Sequence, residues 1–368
     1  MRNSAVRFRF LLHLPHVMRI VVIVLLVALV AGGVFLGIRG CSSTKSTLSD
    51  GGIAISGVST TSSFYAMGDQ FIAFDGAYAR AYNMKGELQW ERSPDGAQGL
   101  NCAVSSSLLA MYRANTIYVY DVDGNVTYSG SVEQNIANVV AGQNAVAVRY
   151  EDDSIQVLDK AGKIMDTIVS TEGTVMDYGV YSGNDLMWVL LLNSDGIQPK
   201  SILNTYKPGK MLLAGYSTTD QMYVRPLFNS DLIYILGTKY LDVKNTTDAS
   251  ESSTLIYGWT LYDSAATSGG MNILLSLAAQ GDAPTSLRVL VNGTKAVDLR
   301  MPAGCTQMVL GNDKVYGFAG QTIYTVPVAG GKTGSTSVPY SVDQVLCKLS
   351  ENRALLSGNN QVWLVTLP

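Results

Sequence analysis

The chain has 368 residues, 26 Lys/Arg against 29 Asp/Glu, a formal net charge of −3, and a composition that is 47% hydrophobic but only 15% charged. From residue 51 onward, 20 basic and 28 acidic side chains leave a net charge of −8 with the signs scattered, which excludes the clustered cations of a phosphate footprint, so no nucleic-acid partner is expected. Both histidines, His13 and His16, lie in the first 19 residues, which removes from the rest of the chain the side chain on which Ser-His-Asp and Cys-His nucleophiles and most zinc or copper sites depend.

Residues 1–19 form a basic tail carrying Arg2, Arg7, Arg9 and Arg19, and the first carboxylate is Asp50. Ile20 to Ile38 follows with nineteen residues free of charge, enough for a helix of about 28 Å, the thickness of a bilayer core. The spacing predicts one transmembrane helix over 20–38, and the Lys/Arg bias holds the N-terminus in the cytoplasm with the remaining domain outside the cell membrane. Gly33 and Gly37 make a GxxxG step suited to helix pairing. A second reading starts from Ile38-Arg39-Gly40-Cys41, which matches a bacterial lipoprotein signal except at Arg39; Cys41 would then be lipidated. Either way residues 39–51 read as a polar spacer that holds the domain clear of the headgroups.

From residue 52 a pattern begins and recurs to the end. Residues 63–93, 100–131 and 136–169 each read as strand, tight polar turn, strand, strand, Gly turn, strand. The first turn can be followed through Gly68, Ser105, Gly142, Gly183, Asn229, Gly269, Gly311 and Ser350, at intervals near 40 residues. The second turn gives glycines at 86, 124, 162, 209, 293 and 331, the fifth unit carrying the polar insertion 245–253 instead. Stretches such as LIYIL, IYVYDV and AVAV are β-branched, aromatic and without helical period, so the units are strands. A 40-residue period of four strands is the signature of a propeller blade. The expected fold is all-β, an eight-bladed propeller over 52–368, with seven blades as the alternative. The last copy lacks its fourth strand, and residues 52–58 offer a spare one; pairing the two would close the ring without an exposed edge.

At the second turn the units read YNMKGELQW, YDVDGNVTY and LDKAGKIMD. This resembles the repeat of PQQ-like and WD-repeat-like propellers, with Gly86-Glu87-Leu88-Gln89-Trp90 the nearest match. The layout of basic tail, span, spacer and divergent propeller is similar to bacterial single-pass proteins of an uncharacterised family, domain of unknown function 5711. The resemblance implies a fold and transfers no active site, and no cofactor is expected.

Asp121-Val122-Asp123-Gly124-Asn125 has the start of a calcium loop without its third carboxylate or distal Glu, and it is read as a blade turn. The scattered Cys102, Cys305 and Cys347 are read as core thiols. If a ligand binds, it should do so at the mouth of the central channel, lined by the first strand of each blade. Asp177 and Arg225 are charges on or near such strands and are the candidate ligand-facing residues. The expected role is a non-enzymatic, membrane-anchored scaffold that binds a protein or an envelope polymer. The alternatives are a sensor or assembly subunit working through its transmembrane helix, and a carboxylate-dependent hydrolase, which would need two Asp/Glu converging on one cavity.

Overall fold

The computed structural model describes residues 45–47, 51–94, 98–181, 186–248, 250–278 and 283–368. The 20–38 span with Gly33 and Gly37, the basic tail before it and Cys41 lie outside these residues, and no helix among the described ones is long and apolar enough to cross a membrane. The chain divides into Met1–Lys45 and Ser46–Pro368; the second unit is a ring of eight antiparallel sheets. Blades 1 to 7 span residues 63–92, 101–131, 136–168, 174–218, 223–255, 259–300 and 307–337, and blade 8 combines 344–366 with the strand Ile53–Ile55. The sheet of blade 7 carries a fifth strand at its outer edge, Lys45–Thr47.

Eight sheets dispose of the seven-blade alternative, and the ring closes where the spare strand was expected. Ile53, Ala54 and Ile55 pair with Leu364, Trp363 and Val362. Three residues of the 52–58 stretch do this work. Gly51 supplies a carbonyl to the hydroxyl of buried Tyr340 at 2.8 Å. Ile55 then enters an apolar cluster with Phe64, Phe71 and Tyr82 of blade 1 and Leu355, Val362 and Leu364 of blade 8. The first and last blades therefore share one core, as a closed ring requires.

Burial follows position in the blade. The second strands, such as Gln70–Phe74, Leu186–Asn193 and Gly270–Leu277, are apolar and buried along most of their length, because a neighbouring blade covers each face. The fourth strands are largely exposed, as in Leu88–Arg92 and Glu251–Leu255. Between them the third strands alternate, with the half-polar pattern of Thr116–Tyr120 as the model case.

The turn between third and fourth strands explains the recurring glycine. Asn83 accepts at Oδ1 from the Lys85 and Glu87 amides, Asp121 from Asp123 and Asn125, and Asp159 from Ala161 and Lys163. An Asn or Asp three residues before the glycine thus caps each turn, and Gly86, Gly124 and Gly162 adopt φ of 77°, 76° and 81°, a region open to Gly at no steric cost. At Gly124 there is a second reason. A Cβ there would come within 2.7 Å of the Trp90 ring of the preceding blade, and that indole donates from Nε1 to the Val122 carbonyl at 2.8 Å. The Gly-to-Trp segment read from the sequence is a device for docking one blade on the next.

Candidate functional site

Two sets of connections make the two faces of the ring. Each first strand begins on the face formed by the interblade connections and the turns between second and third strands, here called the upper face. Near the start of five first strands the register slips by one residue, at Ile136/Asn138, Val175/Asp177, Tyr223/Arg225, Leu261/Asp263 and Val345/Cys347. A bulge bends its strand and re-aims the residue that follows. The followers are Asn138, Asp177, Arg225, Asp263 and Cys347, one on each of blades 3, 4, 5, 6 and 8, and mostly polar.

Two of these followers are carboxylates with the same local geometry. Asp177 Oδ1 accepts from the Tyr178 amide at 2.8 Å, and Asp263 Oδ1 accepts from the Ser264 amide at 2.7 Å. Their second oxygens differ. Asp263 Oδ2 accepts from the Leu310 amide at 2.7 Å and pairs with Lys348 Nζ at 3.1 Å, while that ammonium also donates to the Ser264 carbonyl at 2.8 Å. Lys348 belongs to blade 8 and Leu310 to blade 7, so this cluster ties three blades together. Asp177 has no ion-pair partner among the described residues, and neither does Arg225.

Those two charges, named from the sequence for the mouth of the central channel, line one cavity of about 490 Å³ between blades 4, 5 and 6. Its walls are Val224, Leu236, Ile256, Trp259 and Leu261, with backbone from Gly237, Thr238 and Gly258. The size suits a small ligand or a few residues of a peptide. The cavity sets an arginine, not a second carboxylate, beside Asp177.

Each wall has a local cause. Buried Gln221 accepts at Oε1 from the Lys239 and Tyr240 amides and donates from Nε2 to Asp242 at 2.9 Å. It thereby pins the turn that follows Gly237, where a Cβ would come within 2.1 Å of the Gln221 Oε1. On the other wall the Trp259 amide donates to the Ile256 carbonyl at 2.9 Å, a tight turn whose Gly258 has φ of 83° and whose preceding residue, Tyr257, is thrust into solvent. Trp259 is held from behind by Arg288, whose guanidinium carbon lies 4.6 Å from the ring centroid. Arg288 is itself fixed by Asp298 through contacts of 2.6 and 3.0 Å. That hydrogen bond holds the Asp298 carboxyl below its usual range, outweighing the opposing effect of burial.

Around this cavity the upper face is apolar. Met176 is 50% exposed, Met222 45%, Val224 55%, Leu255 61% and Tyr257 72%. Single exposed apolar side chains are ordinary, but a group of them rimming a cavity marks a contact surface.

The other sequence candidates resolve into structural roles. Asp121 spends both carboxylate oxygens inside its own turn, the second accepting from Asn125 Nδ2 at 3.2 Å, so it is a turn cap. Among the described residues no group of three or more His, Cys, Asp or Glu could hold a metal. Cys305 is buried, whereas Cys102 and Cys347 are half-buried in the first strands of blades 2 and 8. Burial pushes both of these thiols up to about 11, which keeps them protonated and poorly nucleophilic near neutrality. Sequence reasoning did not find the bulges, the Asp263–Lys348 pair, or the exposed residues beside the cavity.

A family described as "Family of unknown function (DUF5711)" matches residues 52–367, and the chain belongs to it. No curated protein matches the chain in sequence. Among solved structures it is similar to BamB from Moraxella catarrhalis, at 12% identity and a TM-score of 0.52, over 86% of this chain and 97% of that one. It is also similar to Sqt1 from Saccharomyces cerevisiae, at 9% identity and a TM-score of 0.55, over 87% of this chain and 100% of that one. A computationally designed protein, Ika8, aligns at 12% identity and a TM-score of 0.51, over 85% and 98% of the two chains. At these identities the likeness is one of fold, and a fold hosts many functions.

Proposed function

We propose that this DUF5711 protein is a membrane-anchored, extracytoplasmic and non-enzymatic propeller that serves as a protein-binding scaffold, docking its partner on the upper face of blades 4 to 6. The observation that carries the reading is the exposed set of Met222, Val224, Leu255 and Tyr257 around the cavity of Asp177 and Arg225. A group of exposed apolar side chains gathered about one cavity is the composition of a surface that another protein covers. A scaffold also suits a ring in which every blade is braced by its neighbours, since the loops can then vary while the body stays rigid. The anchor rests on the uncharged stretch from Ile20 to Ile38, and the basic residues before it support a propeller on the outer side of the membrane. Mass spectrometry of the mature protein checks the anchor: an intact N-terminus fits a span, and a chain starting at a lipidated Cys41 replaces the span with a lipid tether.

The docking face is tested by photocrosslinking in intact cells, with benzoylphenylalanine placed at Tyr257 of the full chain. The expected result is a discrete crosslinked protein from Tyr257 and none from the same probe at Val126, which is 57% exposed on the outer strand of blade 2. Equal capture from both positions, or none from Tyr257, overturns the assignment of this face.

A further inference from the structure

We infer that the cavity is an anchor pocket for an acidic-apolar protein segment, in which a large apolar side chain enters between Val224, Leu236 and Trp259 while a neighbouring carboxylate meets Arg225. This rests on the reading of the upper face as a docking surface and names the chemistry of what docks there.

One cation without an ion-pair partner among the described residues stands in the pocket. It is Arg225, on the wall; Lys239 follows the lining residue Thr238 in the turn between the second and third strands of blade 5. Two other cations, Arg288 and Lys348, are already committed, to Asp298 and to Asp263. Arg225 stands against the net charge of −8 carried by residues 51–368, so an acidic segment finds its complement at this side chain and repulsion over much of the domain. Like-charge repulsion away from the site adds to specificity as attraction at the site does. Asp177 completes the pocket. One of its oxygens is held by the Tyr178 amide, and the other is available to a backbone N–H of an extended guest, which brings a donor wherever it brings a carboxylate. The guest therefore has three features in a few residues: an N–H for Asp177, a carboxylate for Arg225, and an apolar body for the walls. The cavity of about 490 Å³ holds such a segment and is too small for a folded element.

The test uses the full chain in detergent and three immobilised pentapeptides: one with glutamates flanking a central phenylalanine, one with lysines in place of the glutamates, and one with glycine in place of the phenylalanine. The acidic phenylalanine peptide is expected to retain the protein about tenfold better than either of the others, a factor that one well-formed charge contact or one buried ring supplies. Arg225→Glu is expected to reverse the charge preference without changing thermal stability, and Arg225→Lys to keep its sign. Retention that ignores peptide charge, an unchanged preference in Arg225→Glu, or no retention of any peptide each overturns the inference. If Tyr257 still captures a protein in cells while the acidic peptide fails, the docking face stands and only the acidic-apolar guest is lost. If both fail, the two readings fall together.

Discussion

Asp177 and Asp263 stand two blades apart at the same point of their first strands, each just past a bulge and each accepting a hydrogen bond from the amide that follows it. On the side of blades 6 to 8 the second carboxylate oxygen is consumed by Leu310 and Lys348. On the side of blades 4 and 5 the matching oxygen meets no cation, and the nearby Arg225 meets no anion. One arc of the ring has used its charges to tie blades together, and the other has left them facing a cavity. In a repeat fold the same local device can hold the scaffold or hold a guest, and the partner on the second oxygen distinguishes the two.

The largest consequence concerns stability. Both members of the Asp263–Lys348 pair are 23% exposed in their side chains, so Lys348→Met leaves a mostly enclosed carboxylate without its cation and should cost about 2–3 kcal/mol. Arg225→Met removes a charge that pairs with nothing and should stay within about 0.5 kcal/mol of the parent. Urea unfolding of the two variants measures the difference, and similar losses in both would mean that the two sides are not distinct. The double variant Lys348→Met with Asp263→Asn should recover part of the loss, because the amide oxygen still accepts from Leu310 without a charge to shelter.

A smaller effect separates the cavity wall from the scaffold. Gly237→Ala places a Cβ where the Gln221 amide sits, and Gln221 is what satisfies the Lys239 and Tyr240 amides. Displacing it should cost about 1–2 kcal/mol and loosen the turn beside Arg225, so that the acidic peptide is lost more completely than the unfolding midpoint falls. Thr325→Ala, in the third strand of blade 7 away from the cavity, should leave peptide retention unchanged.

Most of the ring was legible in the sequence because a blade is a local object. The first-turn residues from Gly68 to Ser350 and the second-turn glycines fall in the connections between strands wherever they are described, except Asn229 and Ser350, which end the strands leading into them, and the missing fourth strand of the last copy pointed to its replacement at 53–55. Blade 5 hid its plan, since Glu251 to Ser253, read as insertion, belong to a strand, Glu251–Leu255; this is why seven and eight blades could not be separated. The Asn or Asp three residues before Gly86, Gly124 and Gly162 was available to inspection and gives the turn a mechanism the glycine alone does not. The bulges were not available, because slipping a register by one residue leaves no mark in composition. Nor was the Asp263–Lys348 pair, whose members are 85 residues apart, or the partnering that makes Asp263 structural and Asp177 available. Asp177 and Arg225 could be chosen as charges near first strands, but their shared cavity depends on how blades 4, 5 and 6 meet.

The smallest expected effect uses the pH dependence of the Trp259 wall. The Arg288 hydrogen bond holds the Asp298 carboxyl below its ordinary range. A carboxyl whose folded pKa is depressed stabilises the fold above its unfolded pKa, about 4, and loses that contribution as the pH falls through the lower folded value. Asp298 is 66% exposed in its side chain, so solvent screens the pair and global stability should scarcely respond. The response should be local: once Asp298 is protonated, Arg288 loses its anchor and its position over the indole is no longer fixed. The emission of Trp259, isolated by subtracting the Trp259→Phe variant from the parent, should be flat from pH 7 to about 4 and change below that. Asp298→Asn should abolish the step by giving the low-pH emission at every pH. Arg225→Gln should leave the step in place, since no carboxylate pairs with Arg225, and a step that moves with Arg225 instead would mean that the cavity's two charged walls are coupled through the indole between them.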